Sequence, residues 1–211
     1  MLITKIQRSR RERNRYDVFI DEKPAFRVGS TLLAKCGLHT GQPIDQATAD
    51  ELGAAAARET AYQDALNFVS YRPRSSKEII DKLARKGFER ELANQVVDQL
   101  KDQRLLNDVE FARMYVRDRL KGKPMGKALL RKKLMEKGIS FQLSERVLKE
   151  YVTDENEETA AQTLLARKLK TGAARLSKLD SAARQKRLTE YLLRRGFSIE
   201  IASKTARSMN R

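Results

Sequence analysis

The pattern of apolar and polar positions changes character twice along the chain. Residues 1–29 read as β structure. Leu2 to Ile6 and Tyr16 to Ile20 are rich in β-branched and aromatic residues. Asp21-Glu22-Lys23-Pro24 reads as a turn into a return strand, Ala25 to Val28. A small antiparallel meander follows, with Arg8 to Arg15 as its exposed, mobile first connection. Two or three strands are marginal alone in water, so the meander must lean on a helix. Ser30 to Lys35 is expected to form a short helix ending at Gly37. From Asp45, a good N-cap, the period becomes helical. Residues 46–70 are Ala-rich and place Leu52, Ala55, Tyr62, Leu66 and Val69 on one stripe. That helix must stop at Tyr71-Arg72-Pro73.

The remainder is an internal repeat. Lys86-Gly87-Phe88, Lys137-Gly138-Ile139 and Arg195-Gly196-Phe197 align. Four residues before each Gly stand Leu83, Leu134 and Leu192, and eight before stand Ile79, Leu130 and Leu188. Five after stand Leu92, Leu143 and Ile201. This is a helix ending on a basic residue, a left-handed Gly at C′, and an apolar residue just beyond. The basic residue suits the negative end of the helix dipole. A second amphipathic helix follows each Gly, and then a third. Asn107-Asp108-Val109-Glu110 resembles a capping box that opens a helix with Phe111, Met114 and Tyr115 on one face. Thr153-Asp154-Glu155 opens another, running to about Lys170. The unit is helix–Gly–helix–helix, about 50–58 residues long, and the third copy is short of its last helix. The expected organisation is a β-rich extension (1–44), a connecting helix (45–71) and helical repeats at 72–122, 123–172 and 173–211. The fold class is mainly α: tandem three-helix repeats in an elongated, curved array, with a small N-terminal β-hairpin or meander.

Composition sharpens this. There are 44 Lys+Arg against 28 Asp+Glu, a net charge of +16. With one Cys (Cys36) and one His (His39), no intrachain disulfide or Cys-rich zinc site can form, and a His-based metal site would have a single imidazole. No cofactor is expected. No apolar run approaches the roughly 18 residues a membrane span needs, and MLITKIQRSR lacks a secretory h-region, so a cytoplasmic chain with no membrane partner is expected. The charge is uneven: residues 1–71 carry a net of +1 and residues 72–211 a net of +15. The densest block, 113–137, holds ten Lys and Arg against Asp118 and Glu136. A polyanion or an acidic protein surface is the partner such a charge predicts.

Few motifs carry chemistry. Gly122-Lys123-Pro124-Met125-Gly126-Lys127-Ala128 suggests a phosphate loop but has three residues between its glycines where that loop has four, and Ala128 where it has Ser or Thr. A nucleotide site is rejected. His39 sits in a Gly-flanked turn, and a structural role is expected. Basic residues at helical spacing are the remaining signal. Lys123, Lys127 and Arg131 share one face, Lys133 and Lys137 another. Arg113, Arg117 and Lys121 form an i, i+4, i+8 ladder whose mutual repulsion a polyanion would relieve. Phe88, Phe111, Tyr115 and Phe197 fall at core-like positions, so no base-stacking platform is indicated, and nucleic-acid contact would be to phosphate.

Leu66 to Ser75, with Glu78, Lys82, Leu83 and Lys86-Gly87-Phe88, resembles the opening signature of RecX proteins. Leu105-Leu106-Asn107-Asp108 with Phe111-Ala112 and Tyr115-Val116 is similar to their next block. Gly126, Leu130, Leu134 and Lys137-Gly138-Ile139 resembles the one after, and Leu192 to Phe197 the closing segment. The resemblance covers about 66–209 and implies a non-enzymatic modulator of the recombinase RecA in DNA repair, recombination and the SOS response. Such a protein binds the RecA–DNA filament, lies along its groove and usually inhibits ATP hydrolysis and strand exchange. The candidate contacts to RecA or to DNA, single- or double-stranded, are Arg72, Arg74, Arg113, Arg117, Arg119, Lys121, Lys123, Lys127, Arg131, Lys132, Lys133, Lys137, Arg187, Arg194 and Arg195. A monomer is expected. The rival readings are a DNA-binding helical protein, such as a transcriptional regulator, acting without RecA, and an adaptor for an acidic protein.

Overall fold

The computed structural model describes residues 1–9, 14–122, 124–176 and 179–210. Residues 10–13 of the expected first connection, and the candidate contact Lys123, lie outside the described residues. The chain divides into two compact units, Met1–Leu106 and Asn107–Arg211.

The first unit opens with β1 (Ile3–Arg8), β2 (Arg15–Ile20) and β3 (Lys23–Gly29), an antiparallel sheet in the order β1-β2-β3. The meander is therefore present, but its β2–β3 turn is tighter than the expected four residues. Asp21 and Glu22 adopt φ of 47° and 64°, the left-handed pair of a two-residue hairpin loop. Pro24 falls inside β3 beside a register shift, which an edge strand tolerates. A short helix, α1 (Ser30–Lys35), leads to α2 (Gln46–Tyr71), whose N-cap Asp45 accepts from the Thr48 amide at 2.7 Å.

The side of α2 that is buried differs from the expected stripe. Ala49, Ala56, Ala61 and Ala65 are its buried residues, while Leu52, Ala55, Tyr62, Leu66 and Val69 are half-buried. The reason is that α2 serves two cores. Ala49 and Ala56 join Ile3, Val18, Ile20 and Val28 against the sheet. Ala61 and Ala65 pack with Ile79, Leu83, Val96 and Leu100 of α3 (Ser76–Arg85) and α4 (Arg90–Asp102). Alanine lets the backbones approach at both places, and no single stripe serves both.

The second unit holds α5 (Asp108–Gly122), α6 (Lys127–Glu136), α7 (Phe141–Tyr151), α8 (Asp154–Leu176), α9 (Ser181–Arg194) and α10 (Ile199–Ser208). The Asn107 carboxamide oxygen accepts from the amides of Val109 and Glu110, capping α5. Phe111, Val116, Leu130, Leu134, Val147 and Leu148 close one core over α5–α7. Leu164, Leu165, Leu188, Leu192, Phe197 and Ile201 close another over α8–α10. Each Gly hairpin is thus packed with the helix before it, and the third hairpin has its helix in α8. Periodicity locates the hairpins but not which neighbouring helix completes each core.

The hairpin turns share one geometry. Gly87, Gly138 and Gly196 have φ of 90°, 83° and 86°. The amides of Phe88, Ile139 and Phe197 reach back to the carbonyls of Leu83, Leu134 and Leu192 at 3.2, 3.0 and 3.2 Å. This is the six-to-one bond of a Schellman cap, which a left-handed residue makes possible.

Candidate polyanion interface

Arg72 and Arg74 sit at the corner between α2 and α3. The Arg74 guanidinium lies 3.7 Å from the centre of the Phe68 ring, and its Nε donates to the Phe68 carbonyl at 3.3 Å. Burial, and then the like charge of Arg72, hold its pKa below the ordinary arginine value. Arg72 pairs with Glu78 at 3.4 Å and donates to the Pro73 carbonyl. Both arginines therefore brace the corner, and Arg74 in particular caps the end of α2.

On α5 the expected ladder is not left to repel itself. Arg113 donates to Glu110 at 2.9 Å and to Glu150 of α7 at 3.2 Å. The Glu110 hydrogen bond, followed by the charge of Glu150, raises its pKa. Two carboxylates of the chain thus relieve the repulsion at the first rung of the ladder. Arg117 is exposed, with its guanidinium 5.8 Å from the Tyr151 ring, and Lys121 is exposed.

Helix α6 pairs one of its cations with α7 and another within itself. Arg131 pairs with Glu145 of α7 at 2.5 Å, and its guanidinium is 5.7 Å from the Phe141 ring. That hydrogen bond is the main reason the Glu145 carboxyl lies below the usual range, with the charges of Arg131, Lys127 and Lys149 adding to it. Lys133 pairs within α6 with Glu136, three residues on, at 2.7 Å. Its pKa is raised chiefly by that bond and pulled back slightly by the charge of Arg119, so the two cations are electrostatic neighbours. Arg119 lies 4.9 Å from the Tyr115 ring. Lys132 is exposed, and Lys137 is half-buried; both act on Glu136 by charge.

The start of α6 is where the rejected phosphate loop would bind. It is already occupied. The buried Glu157 carboxylate accepts from the Lys127 amide at 2.8 Å, and the Gly126 and Ala128 amides donate to the carbonyls of Arg195 and Gly196. These groups satisfy the positive end of the helix from within the chain.

On α9, Arg187, Arg194 and Arg195 are all exposed. Arg195 lies 5.3 Å from the Tyr191 ring, and Lys168 of α8 lies 5.5 Å from the same ring. Among the described residues no helix is long and apolar enough to cross a membrane, and no group of three or more His, Cys, Asp or Glu could hold a metal ion.

Three family descriptions match: "Regulatory protein RecX N-terminal domain" over residues 1–45, "RecX, first three-helix domain" over 61–100 and "RecX, second three-helix domain" over 107–148. The chain is 32% identical over 209 residues to a regulatory protein RecX of Listeria innocua, covering 98% of this chain and 75% of that one. The chain belongs to the RecX family. A RecX relative from Bacillus pumilus is 32% identical over 204 residues and matches over 75% of its length. Two solved RecX structures are similar in fold. One has a TM-score of 0.70 at 25% identity and covers 95% of this chain and 96% of its own. The other, from Lactobacillus salivarius, has a TM-score of 0.64 at 30% identity and covers 74% and 98%.

In this RecX chain, packing brings the candidate cations Arg119 and Lys133 of neighbouring helices together, sets Arg131 against the Phe141 ring and leaves Arg195 against the Tyr191 ring one turn away. Lys168 and Tyr191 are absent from the candidate contacts, because a cation shared between α8 and α9 leaves no periodic trace. Phe111 and Phe197 are buried and Phe88 and Tyr115 half-buried, as expected, while Tyr71 and Phe141, which carried no such expectation, are 84% and 54% exposed.

Proposed function

We propose that the chain regulates RecA by binding the RecA–DNA filament and lowering ATP hydrolysis and strand exchange, with no reaction of its own and no cofactor, in the cytoplasm. Family membership supports the partner. One structural observation carries the manner of binding: exposed cations recur on α5, α6 and α9 and at the end of α9, at Arg117, Lys121, Lys132, Arg187, Arg194 and Arg195. Residues 107–211 hold 25 Lys+Arg against 13 Asp+Glu, so +12 of the +16 lies in that unit. Cations on exposed stems offer salt-sensitive phosphate contacts and complement an acidic protein surface.

The test is RecA ATPase on single-stranded DNA, titrated with this chain. The rate should fall at substoichiometric ratios, and reversal of Lys132, Arg187 and Arg194 to Glu should weaken the effect. An unchanged rate at every ratio overturns the proposal. Preference for one DNA sequence, with no effect on RecA, would instead support a DNA-binding protein acting alone.

A further inference from the structure

The three Gly hairpins differ at two exposed positions that their alignment makes equivalent. Three residues before the glycine and three after it, the second hairpin carries Met135 and Phe141, and the third carries Leu193 and Ile199. All four are large, apolar and exposed, at 48%, 54%, 39% and 63%. None is packed into the core cluster of its repeat.

The hairpin does not require them. The first hairpin has Ala84 and Arg90 at the same two positions, both exposed, and closes with the same Phe88-to-Leu83 bond. Phe141 and Ile199 open their helices just after the caps Ser140 and Ser198, which accept from the amides of Leu143 and Ile201 at 3.2 Å each. The caps do the local work, and a polar residue would start either helix as well.

Both pairs are bordered by cations. Arg131, Lys132 and Lys137 surround the first in sequence, and Arg194 and Arg195 follow Leu193. The acids beside the first pair, Glu136 and Glu145, are engaged by Lys133 and Arg131. Glu200, beside the second, acts on Lys204 by charge. The pairs also have a fixed spacing. The Gly126 amide bonds the Arg195 carbonyl, so the third turn touches the first end of α6, while Lys137 and Gly138 close its other end. Ten residues of helix separate the two turns, roughly 15 Å along the axis.

We infer that Met135/Phe141 and Leu193/Ile199 are two apolar anchors that seat in equivalent acid-rimmed recesses on the protein subunits of the filament. This rests on the filament reading above and deepens it. A polymer of one protein offers the same recess repeatedly, which matches a surface that repeats. Three of the four anchors, Met135, Leu193 and Ile199, have no π-face for a base, and the Phe141 ring is already faced by the Arg131 guanidinium at 5.7 Å, which favours protein over DNA as the occupant. Apolar anchors ringed by arginine have the composition of the energetic centre of a protein interface.

The experiment compares wild type with M135A/F141S, L193A/I199S and the combined variant. Fluorescence anisotropy measures affinity for the RecA–DNA filament and, separately, for bare single-stranded DNA. Thermal melting followed by circular dichroism reports folding, and sedimentation reports self-association. Each pair variant should lose roughly tenfold in filament affinity, and the combined variant about a hundredfold if the sites add. Bare-DNA affinity and melting should stay at wild-type values. A combined variant that binds filament like wild type overturns the inference and leaves the filament reading standing. So does a parallel loss on bare DNA, or a wild-type dimer that the combined variant abolishes without loss of filament affinity. A wild type that does not bind the filament overturns both.

Discussion

At Gly126 the backbone of one repeat touches that of the next, and the residue has no alternative there. A Cβ built on it would overlap the Gly196 carbonyl and the Phe197 amide, both main-chain groups that cannot swing aside. Its φ of −72° is ordinary, so the requirement is space and not conformation. Gly87 is the converse case: a Cβ would meet nothing within 4 Å, but φ is +90°. The two substitutions should therefore differ. Gly87→Ala should cost about 1 kcal/mol for the left-handed backbone. Gly126→Ala should cost about 2–4 kcal/mol, because α6 and the α9–α10 turn must separate. Urea unfolding of the two variants checks this, and equal losses would refute the close-approach argument. The sequence alignment marks Gly87, Gly138 and Gly196 by their shared context. Gly126 stands outside that repeat pattern and is marked only by the family resemblance, which does not show its close approach to Gly196, 70 residues away.

Helix α6 shows how an element can be legible in outline and hidden in its attachments. Leu130, Leu134 and Gly138 announce the helix, its buried face and its end. Its start has no side-chain cap of its own, and buried Glu157 supplies one from α8. Nothing local to Lys127 predicts that, because the carboxylate arrives through the fold. The same holds for the cations: spacing assigns Lys127 and Arg131 to one face, but only packing shows that α7 presents Glu145 to it. That contact sets a pH dependence. The folded pKa of Glu145 is depressed, so the pair's stabilisation is present above the ordinary glutamate range. It is lost as pH falls through the folded value. Glu145→Gln should thus lower stability by about 0.5–1 kcal/mol at pH 7. The difference from wild type should shrink toward zero at an acid pH below that folded value, where the wild-type carboxylate is protonated as well. Denaturant titrations at the two pH values decide it, and a constant difference would mean that packing, not charge, holds the pair.

For the molecule as a whole, the +16 net charge favours a polyanionic or acidic partner, and the fold sorts which cations remain available to it. Arg113 is held between Glu110 and Glu150, and Arg74 is stacked on Phe68 as a corner brace. Lys132, Arg187 and Arg194 instead project from exposed positions on α6 and α9. A count of charges treats these groups alike, but counterion release does not. A phosphate contact made by an exposed cation adds close to one to the slope of log affinity against log salt, whereas a cation already neutralised by carboxylates has little left to exchange. Lys132→Gln should therefore weaken binding to single-stranded DNA and reduce the salt slope by about one. Arg113→Gln should leave the slope close to wild type, because two carboxylates already neutralise that guanidinium and it holds few counterions' worth of phosphate contact. Anisotropy titrations of labelled DNA across a range of salt concentrations measure both slopes. If Arg113→Gln flattens the dependence as much as Lys132→Gln, the internal ion pairs open on binding. The interface would then have to be drawn from the whole basic surface rather than from its exposed cations.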